Sequence, residues 1–201
     1  MPRLPYPDPA QLSPQVRKML EDRLPLNFFK MLGHAPTFMP GWFTLGRGIL
    51  FEAELPPELR ELAILKVGAL SHCAYETHQH RRVAATVGLS AEKIAGAEQG
   101  ADPAVFDARE QQVLRFTEQV VLKVKADKDV FDATVAMLGQ RQTMELMITI
   151  GFYMMAARLM ENIEVDLEAG GGPSLEEARQ MRAKVAAKVA REAAEAAAKG
   201  G

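Results

Sequence analysis

The chain has 201 residues, of which 24 are basic and 26 acidic, for a net charge of −2. That balance argues against the clustered positive surface that nucleic acid or an anionic membrane requires. Apolar residues make up 48% and charged residues 25%, enough for one ordinary globular core.

One cysteine, Cys73, rules out a disulfide within the chain and fits a reducing compartment. The opening Met1-Pro-Arg-Leu-Pro-Tyr-Pro lacks the apolar run of a signal peptide. The longest apolar stretch, Met144 to Met160, is interrupted by Glu145, Thr149 and Arg158. It falls short of the about 20 apolar residues that a membrane span needs. The expected location is cytoplasmic, with neither membrane nor nucleic acid as partner.

Strand signals are nearly absent, with no period-2 run and no Asn-Gly or Asp-Gly hairpin. Helix signals recur and predict an all-α bundle of about eight helices. Ser13-Pro14 supplies a cap and a first-turn proline for a short helix through Asp22. Asn27 is placed to cap Phe28 to Leu32. Pro36 and Pro40 bracket a turn before an apolar helix from Pro40 to Phe51, and Pro56-Pro57 breaks the chain. From Glu58 to Gly88 the pattern is helical but too long for one helix. Gly68 and Ser71 predict a break there, with Ser71 capping a second helix from about His72. Ser90 caps a helix to Gln99, and Gly100 to Pro103 is a loop. Asp107 and Glu110 form a capping box for a helix reaching Lys123. Asp129 caps a short helix ending at Gly139. The helix from Gln142 to Asn162 is apolar almost all round, which predicts burial by a partner subunit. Gly170 to Pro173 reads as a linker, and Ser174 with Glu177 as a capping box. The Ala-rich helix that follows has only a thin stripe, Met181, Val185 and Val189. The expected organisation is a helical domain over 1–169 with an N-terminal extension, then a linker and C-terminal helix over 170–201.

Reactive side chains concentrate between Glu61 and His80. Ser71 to His80 carries three of the four histidines and the cysteine. On a helix, Cys73, Glu76 and His80 stand at i, i+3 and i+7 and share one face, while His78 points to another side. Glu61 lies on the preceding helix and can face Cys73 if the chain turns near Gly68 to Ser71. A histidine paired with a carboxylate has a fixed tautomer and suits proton transfer. A helix start favours negative charge on Cys73, and a carboxylate at Glu76 opposes it.

Glu61, followed by Cys73-x-x-Glu76-x-x-x-His80, resembles the signature of the carboxymuconolactone decarboxylase and AhpD-like alkylhydroperoxidase superfamily. The resemblance runs from about Phe38 to Val165. It includes Glu58-Leu-Arg-Glu-Leu-Ala-Ile-Leu, Val83-Ala-Ala-Thr-Val-Gly-Leu-Ser and Gly151-Phe-Tyr-Met-Met-Ala-Ala-Arg. It implies an AhpD-like helical bundle that assembles into homotrimers or homohexamers. The peroxidase branch carries Cys-x-x-Cys with a glutamate and histidine as proton relay. Glu61, Cys73 and His80 match that pattern, but Glu76 stands where the second cysteine would be. The resemblance therefore implies the decarboxylase-like branch, without a dithiol cycle or a cofactor. Its implied catalytic set is Glu61, Cys73, Glu76, His80 and His78, acting on a small unsaturated lactone or carboxylic acid from aromatic catabolism. Tyr75, Arg81 and Arg158 are the expected substrate-binding residues, drawn from a pool that also holds Arg47 and Arg82.

Plainer readings stand beside these. Cys73 can be a small buried apolar side chain. Glu76 with His80 can be a surface i, i+4 pair. The two can also bind a metal ion with Glu61, His78 or Cys73, although only two ligands are well spaced and no metal is expected. A chain of this fold can also serve only in binding or redox-stress assembly.

Overall fold

The computed structural model describes residues 1–100, 102, 104–169 and 175–199. Those residues form nine α-helices and no strand. They are α1 (Pro14–Glu21), α2 (Asn27–Met31), α3 (Met39–Arg47), α4 (Pro57–Leu70), α5 (Ala74–Thr86), α6 (Ala91–Gln99), α7 (Ala108–Lys123), α8 (Lys128–Ile163) and α9 (Leu175–Lys199). None is long and apolar enough to cross a membrane.

Side-chain caps open α1, α6 and α7. The Ser13 hydroxyl accepts from the Val16 amide at 3.3 Å, and the Ser90 hydroxyl from the Lys93 amide at 3.2 Å. Asp107 and Glu110 form the reciprocal capping box. Three expected caps differ. Asn27 is the first residue of α2, because its amide is taken by the Glu168 carboxylate at 2.7 Å. Asp127 rather than Asp129 precedes α8, and its carboxylate is held by Lys123 and Gln119. Ser71 closes α4 instead of opening α5. His72 then turns through a left-handed conformation (φ 53°), and Cys73 takes the cap position of α5. The two helices expected to meet near Gly139 do so: α8 is broken by non-helical backbone at that glycine (φ 77°, ψ 170°). The Gly170-to-Pro173 linker and the Ser174–Glu177 box lie outside the described residues, as do Ala101, Pro103 and the side chain of Val189.

The chain divides into two compact units. One comprises residues 5–52 and 167–201. In it Phe28 packs edge-on against Trp42 and Phe29 against Phe43, with ring centres 5.4 and 5.2 Å apart. The Arg23 guanidinium caps the Phe43 ring at 3.7 Å. On α9, Met181 and Val185 are half-buried.

The other unit comprises residues 1–4 and 53–166, and α4 is its axis, touching α5, α6, α7 and α8. Every residue of α4 from Leu59 to Gly68 is buried. Apolar side chains such as Leu62, Ile64 and Leu65 account for most of that surface, whose removal from water drives folding. Charged side chains on so buried a helix need partners. Lys66 reaches Glu118 on α7 at 2.9 Å, and Arg60 and Glu61 are paired as described below. On α8, Leu146, Ile150, Tyr153 and Ala157 face the core. Met144, Ile148, Met155 and Leu159 form an apolar stripe on the exposed side, each between 37% and 55% accessible.

The α4–α5 contact is close because Gly68 has no side chain. A Cβ there would lie 2.9 Å from Thr77 Cγ2 and 3.4 Å from Glu76 Oε1. Thr77 is buried, and its hydroxyl is fixed to the Ala74 carbonyl at 3.1 Å. Gly68→Ala should therefore cost about 1–3 kcal/mol through overpacking. Urea unfolding measures it, and an unchanged midpoint would show that the crossing has slack.

Candidate active site

On α4, Glu61 and Gly68 are seven residues apart and share a face; on α5, Glu76 and His80 are four apart. With the chain reversing through Ser71-His72-Cys73, the two faces meet. Gly68 lies against Glu76 and Thr77, and Glu61 lies against His80. The Glu61 Oε2 to His80 Nδ1 distance is 2.7 Å. The other carboxylate oxygen accepts from Arg60 Nε at 3.0 Å.

Glu61 is completely buried. Burial pushes its carboxyl up, but the His80 imidazole and the Arg60 guanidinium outweigh that and hold it below the ordinary carboxylate range. An ionised Glu61 is acceptor only, so His80 Nδ1–H donates to it and Nε2 is the nitrogen left for chemistry. The His80 side chain is 12% exposed while Glu61 is at 0%, so solvent approaches the pair from the imidazole side. Tyr153 of α8 packs edge-on against His80, with ring centres 4.7 Å apart. Burial raises the Tyr153 phenol well above its ordinary value, and Glu61 and Glu76 add to the effect. The phenol is thus neutral and stands within the field of both carboxyls.

Cys73 is 1% exposed. Burial, opposed by the Glu76 amide and reinforced by the side chains of Glu76 and Glu161, pushes its thiol up to about 12. The helix start therefore does not make Cys73 a thiolate, because desolvation is the larger effect. A thiol that stays protonated at neutral pH is a poor nucleophile. Glu76 is also 1% exposed, and neither carboxyl oxygen has a hydrogen-bond partner. Burial alone pushes this carboxyl well above the ordinary range.

Glu61, Cys73, Glu76 and His80 are thus brought together at the α4–α5 crossing. Tyr75 is buried on α5, and His78 is half-buried, two residues from His80 and so turned to the opposite side of that helix. Arg81 is exposed and forms a two-bond pair with Glu98, at 2.7 and 2.6 Å. Arg158 is exposed and donates to the Met154 carbonyl at 2.8 Å. These bonds point both expected anion-binding arginines elsewhere, and Arg60 is the arginine found in the cluster. Arg60, Tyr153 and Glu161 were missed by sequence reasoning. Arg60 adjoins Glu61, and Tyr153 lies in the Gly151-Phe-Tyr segment, so both had a signal; Glu161 had none. Among the described residues no group of three or more His, Cys, Asp or Glu side chains is arranged to hold a metal ion. Two surface hollows, one lined by Gln112, Arg115 and Glu118 of α7 and one by Phe116, Phe131 and Met147, contain none of the cluster.

Residues 36–119, which include the whole of α4 and α5, match the carboxymuconolactone decarboxylase family. That match covers 84 of the 201 residues, the part of the chain that holds the cluster. Two solved structures are similar in fold. One is an alkylhydroperoxidase AhpD core, an uncharacterized peroxidase-related protein from Ralstonia eutropha JMP134, 18% identical, with a TM-score of 0.74 over 85% of this chain and 94% of that one. The other is an uncharacterized peroxidase-related protein from Silicibacter sp. TM1040, 15% identical, with a TM-score of 0.74 over 86% of this chain and 94% of that one. No curated protein matches the sequence. Set against the motif that the sequence resembles, Glu61, Cys73 and His80 are kept and Glu76 is the departure.

The Glu61 carboxylate also neutralises Arg60, which is itself only 3% exposed. Glu61→Gln should destabilise the fold by about 1–3 kcal/mol at neutral pH, because it removes the charge that accepts from both Arg60 and His80. Glu61 has a lower proton affinity folded than unfolded. Its contribution is therefore complete above the unfolded carboxylate range and lost as pH falls through the lower folded value. Denaturant titrations of both proteins across pH should show the gap closing in acid; a gap independent of pH contradicts the assignment.

Proposed function

We propose that this chain is a carboxymuconolactone decarboxylase-like enzyme. It moves a proton by general acid/base catalysis on a small unsaturated lactone or carboxylic acid, in aromatic-compound catabolism in the cytoplasm. The 2.7 Å bond between a buried, ionised Glu61 and His80 Nδ1 carries this reading. It fixes the imidazole, orients Nε2 and stabilises positive charge on the ring. In the reaction, the bond from the ring carbon to the departing carboxyl breaks. Its electron pair moves into the conjugated lactone as a dienolate, and carbon dioxide leaves. The imidazolium then returns a proton from Nε2 to carbon, and Glu61 holds the charged ring until that happens. Arg60 keeps Glu61 ionised as a positioning residue. No step requires a metal or an organic cofactor.

The peroxidase-related names of the structural neighbours suggest a thiol cycle as the second reading. Two observations weigh against it. The chain has one cysteine, and burial keeps that thiol protonated. A peroxide cycle through a disulfide needs a second thiol to resolve the first oxidation product.

The test is to incubate the protein with unsaturated lactone acids and muconate-type acids while following carbon dioxide release and ultraviolet absorbance. Turnover should fall about 10²–10⁴-fold in His80→Ala, the usual worth of a general acid or base. Cys73→Ser should lose less. Hydroperoxide reduction driven by a dithiol, without turnover of any acid, overturns the reading.

We also read the exposed α8 stripe, Met144, Ile148, Met155 and Leu159, as the self-association face of a homotrimer or homohexamer. A continuous apolar stripe on an isolated chain favours association. Sedimentation equilibrium should give three or six copies at micromolar concentration, and Ile148→Glu should reduce that number. A single 22.1 kDa species contradicts it.

A further inference from the structure

Buried polar atoms without partners are rare in folded proteins, and each calls for an explanation. Glu76 has two of them on one carboxyl, in a side chain only 1% exposed. It occupies the middle of the cluster. Gly68 of α4 lies beside it, and a Cβ there would stand 3.4 Å from Oε1. Cys73 precedes Glu76 in the chain, His80 follows one turn later, and Tyr153 of α8 lies against His80. The nearby ionisable groups are the Cys73 thiol, the Tyr153 phenol, the Glu161 carboxyl beside Cys73, and Glu61 with His80 and Arg60, whose hydrogen bonds go to Glu61 and not to Glu76. None supplies a cation to Glu76, so the uncharged acid is the form this environment tolerates.

A carboxylic acid has what a carboxylate lacks, an O–H to donate. We propose that Glu76 is the oxyanion-binding group of the site: its buried, partnerless carboxylic acid donates a hydrogen bond to the substrate oxygen on which charge develops, while His80 handles the proton at carbon. This rests on the acid/base reading above and deepens it. Two carboxyls one helix turn or one helix crossing from the same imidazole are driven apart in character, one ionised and one neutral. Such a split assigns different tasks to chemically identical groups. A neutral donor held in a water-poor site needs no reorganisation when the oxyanion forms. It also stabilises an enolate whether that enolate arises by loss of carbon dioxide or by removal of a proton from carbon. The substrate class is therefore an acid or lactone whose carbonyl oxygen is conjugated to the reacting carbon. The residue that removes the second cysteine of the dithiol motif thus gives the same position a different chemical role.

Infrared difference spectroscopy of wild type against Glu76→Gln at neutral pH tests this directly, with cis,cis-muconate as the oxygen-anion probe and carbon dioxide release followed on the same samples. The expected result is a protonated-carboxyl C=O band that is lost in the variant and shifts to lower wavenumber when muconate is added. A carboxylate signal, or a protonated band that muconate leaves unmoved, overturns the assignment. A band that shifts without turnover of any acid in the panel keeps Glu76 as donor and removes the decarboxylase reading. Thermal unfolding gives a check that needs no ligand. An acid kept neutral only in the folded state makes wild type lose stability as pH rises past the ordinary carboxylate range, because the unfolded chain then releases a proton that the folded chain retains. Glu76→Gln should therefore gain in melting temperature on wild type between acid and neutral pH, and a constant difference overturns the proposal. Should the variant fail to fold, wild-type spectra across the same pH range read the carboxyl band alone.

Discussion

The contact between α4 and α5 at Gly68 is the constraint from which the site follows. Without a Cβ at that position, Glu76 and Thr77 of α5 lie directly against α4. One face of α4 then carries Gly68 and Glu61, and the matching face of α5 carries Glu76 and His80. Helical repeat does the rest, since a separation of seven residues on one helix spans the distance from the crossing to the Glu61–His80 bond. The short reversal at Ser71-His72-Cys73, with His72 in a left-handed conformation, sets the register. Moving either helix by one residue would turn Glu61 or His80 away from its partner.

Charge is managed within this contact by two opposite solutions. Glu61 is buried among a histidine and an arginine, so its charged form is favoured despite desolvation. Glu76 is buried beside groups that offer no cation, so its neutral form is favoured. Cys73, beside Glu76 and within reach of the Glu161 carboxylate, is likewise kept uncharged. The cluster thus holds one ionised relay, Glu61 with His80 and Arg60, beside the uncharged Cys73, Glu76 and Tyr153. That composition suits moving protons and holding a developing oxyanion, and it does not suit thiol nucleophilicity.

Much of this architecture was legible in the sequence where the signal is local. The capping box at Asp107 and Glu110, the serine caps at Ser13 and Ser90, and the break at Gly139 depend on residues within a few positions of one another. The shared face of Glu76 and His80 follows from spacing, and Gly68 to Ser71 marked where the chain could return. What was not legible depends on tertiary partners. Glu168 displaced Asn27 from its cap, and Lys123 with Gln119 occupied Asp127. Arg81 looked free to bind an anion, but Glu98 holds it. Tyr153 enters the site only through the packing of α8 against α5, whereas Arg60 is the sequence neighbour of Glu61. The long apolar helix is half-buried by its own unit, leaving a stripe of four residues where the sequence suggested burial all round.

The account turns on which nitrogen of His80 carries the proton. Nitrogen-15 magnetic resonance of the imidazole side chains, assigned with a His80→Asn variant, reads this directly. The account predicts that neutral His80 is the Nδ1–H tautomer, with its proton strongly deshielded by the bond to Glu61 and Nε2 as the nitrogen that gains and loses the second proton. A neutral His80 with its proton on Nε2, and Nδ1 accepting from a protonated Glu61, would contradict the account at its centre.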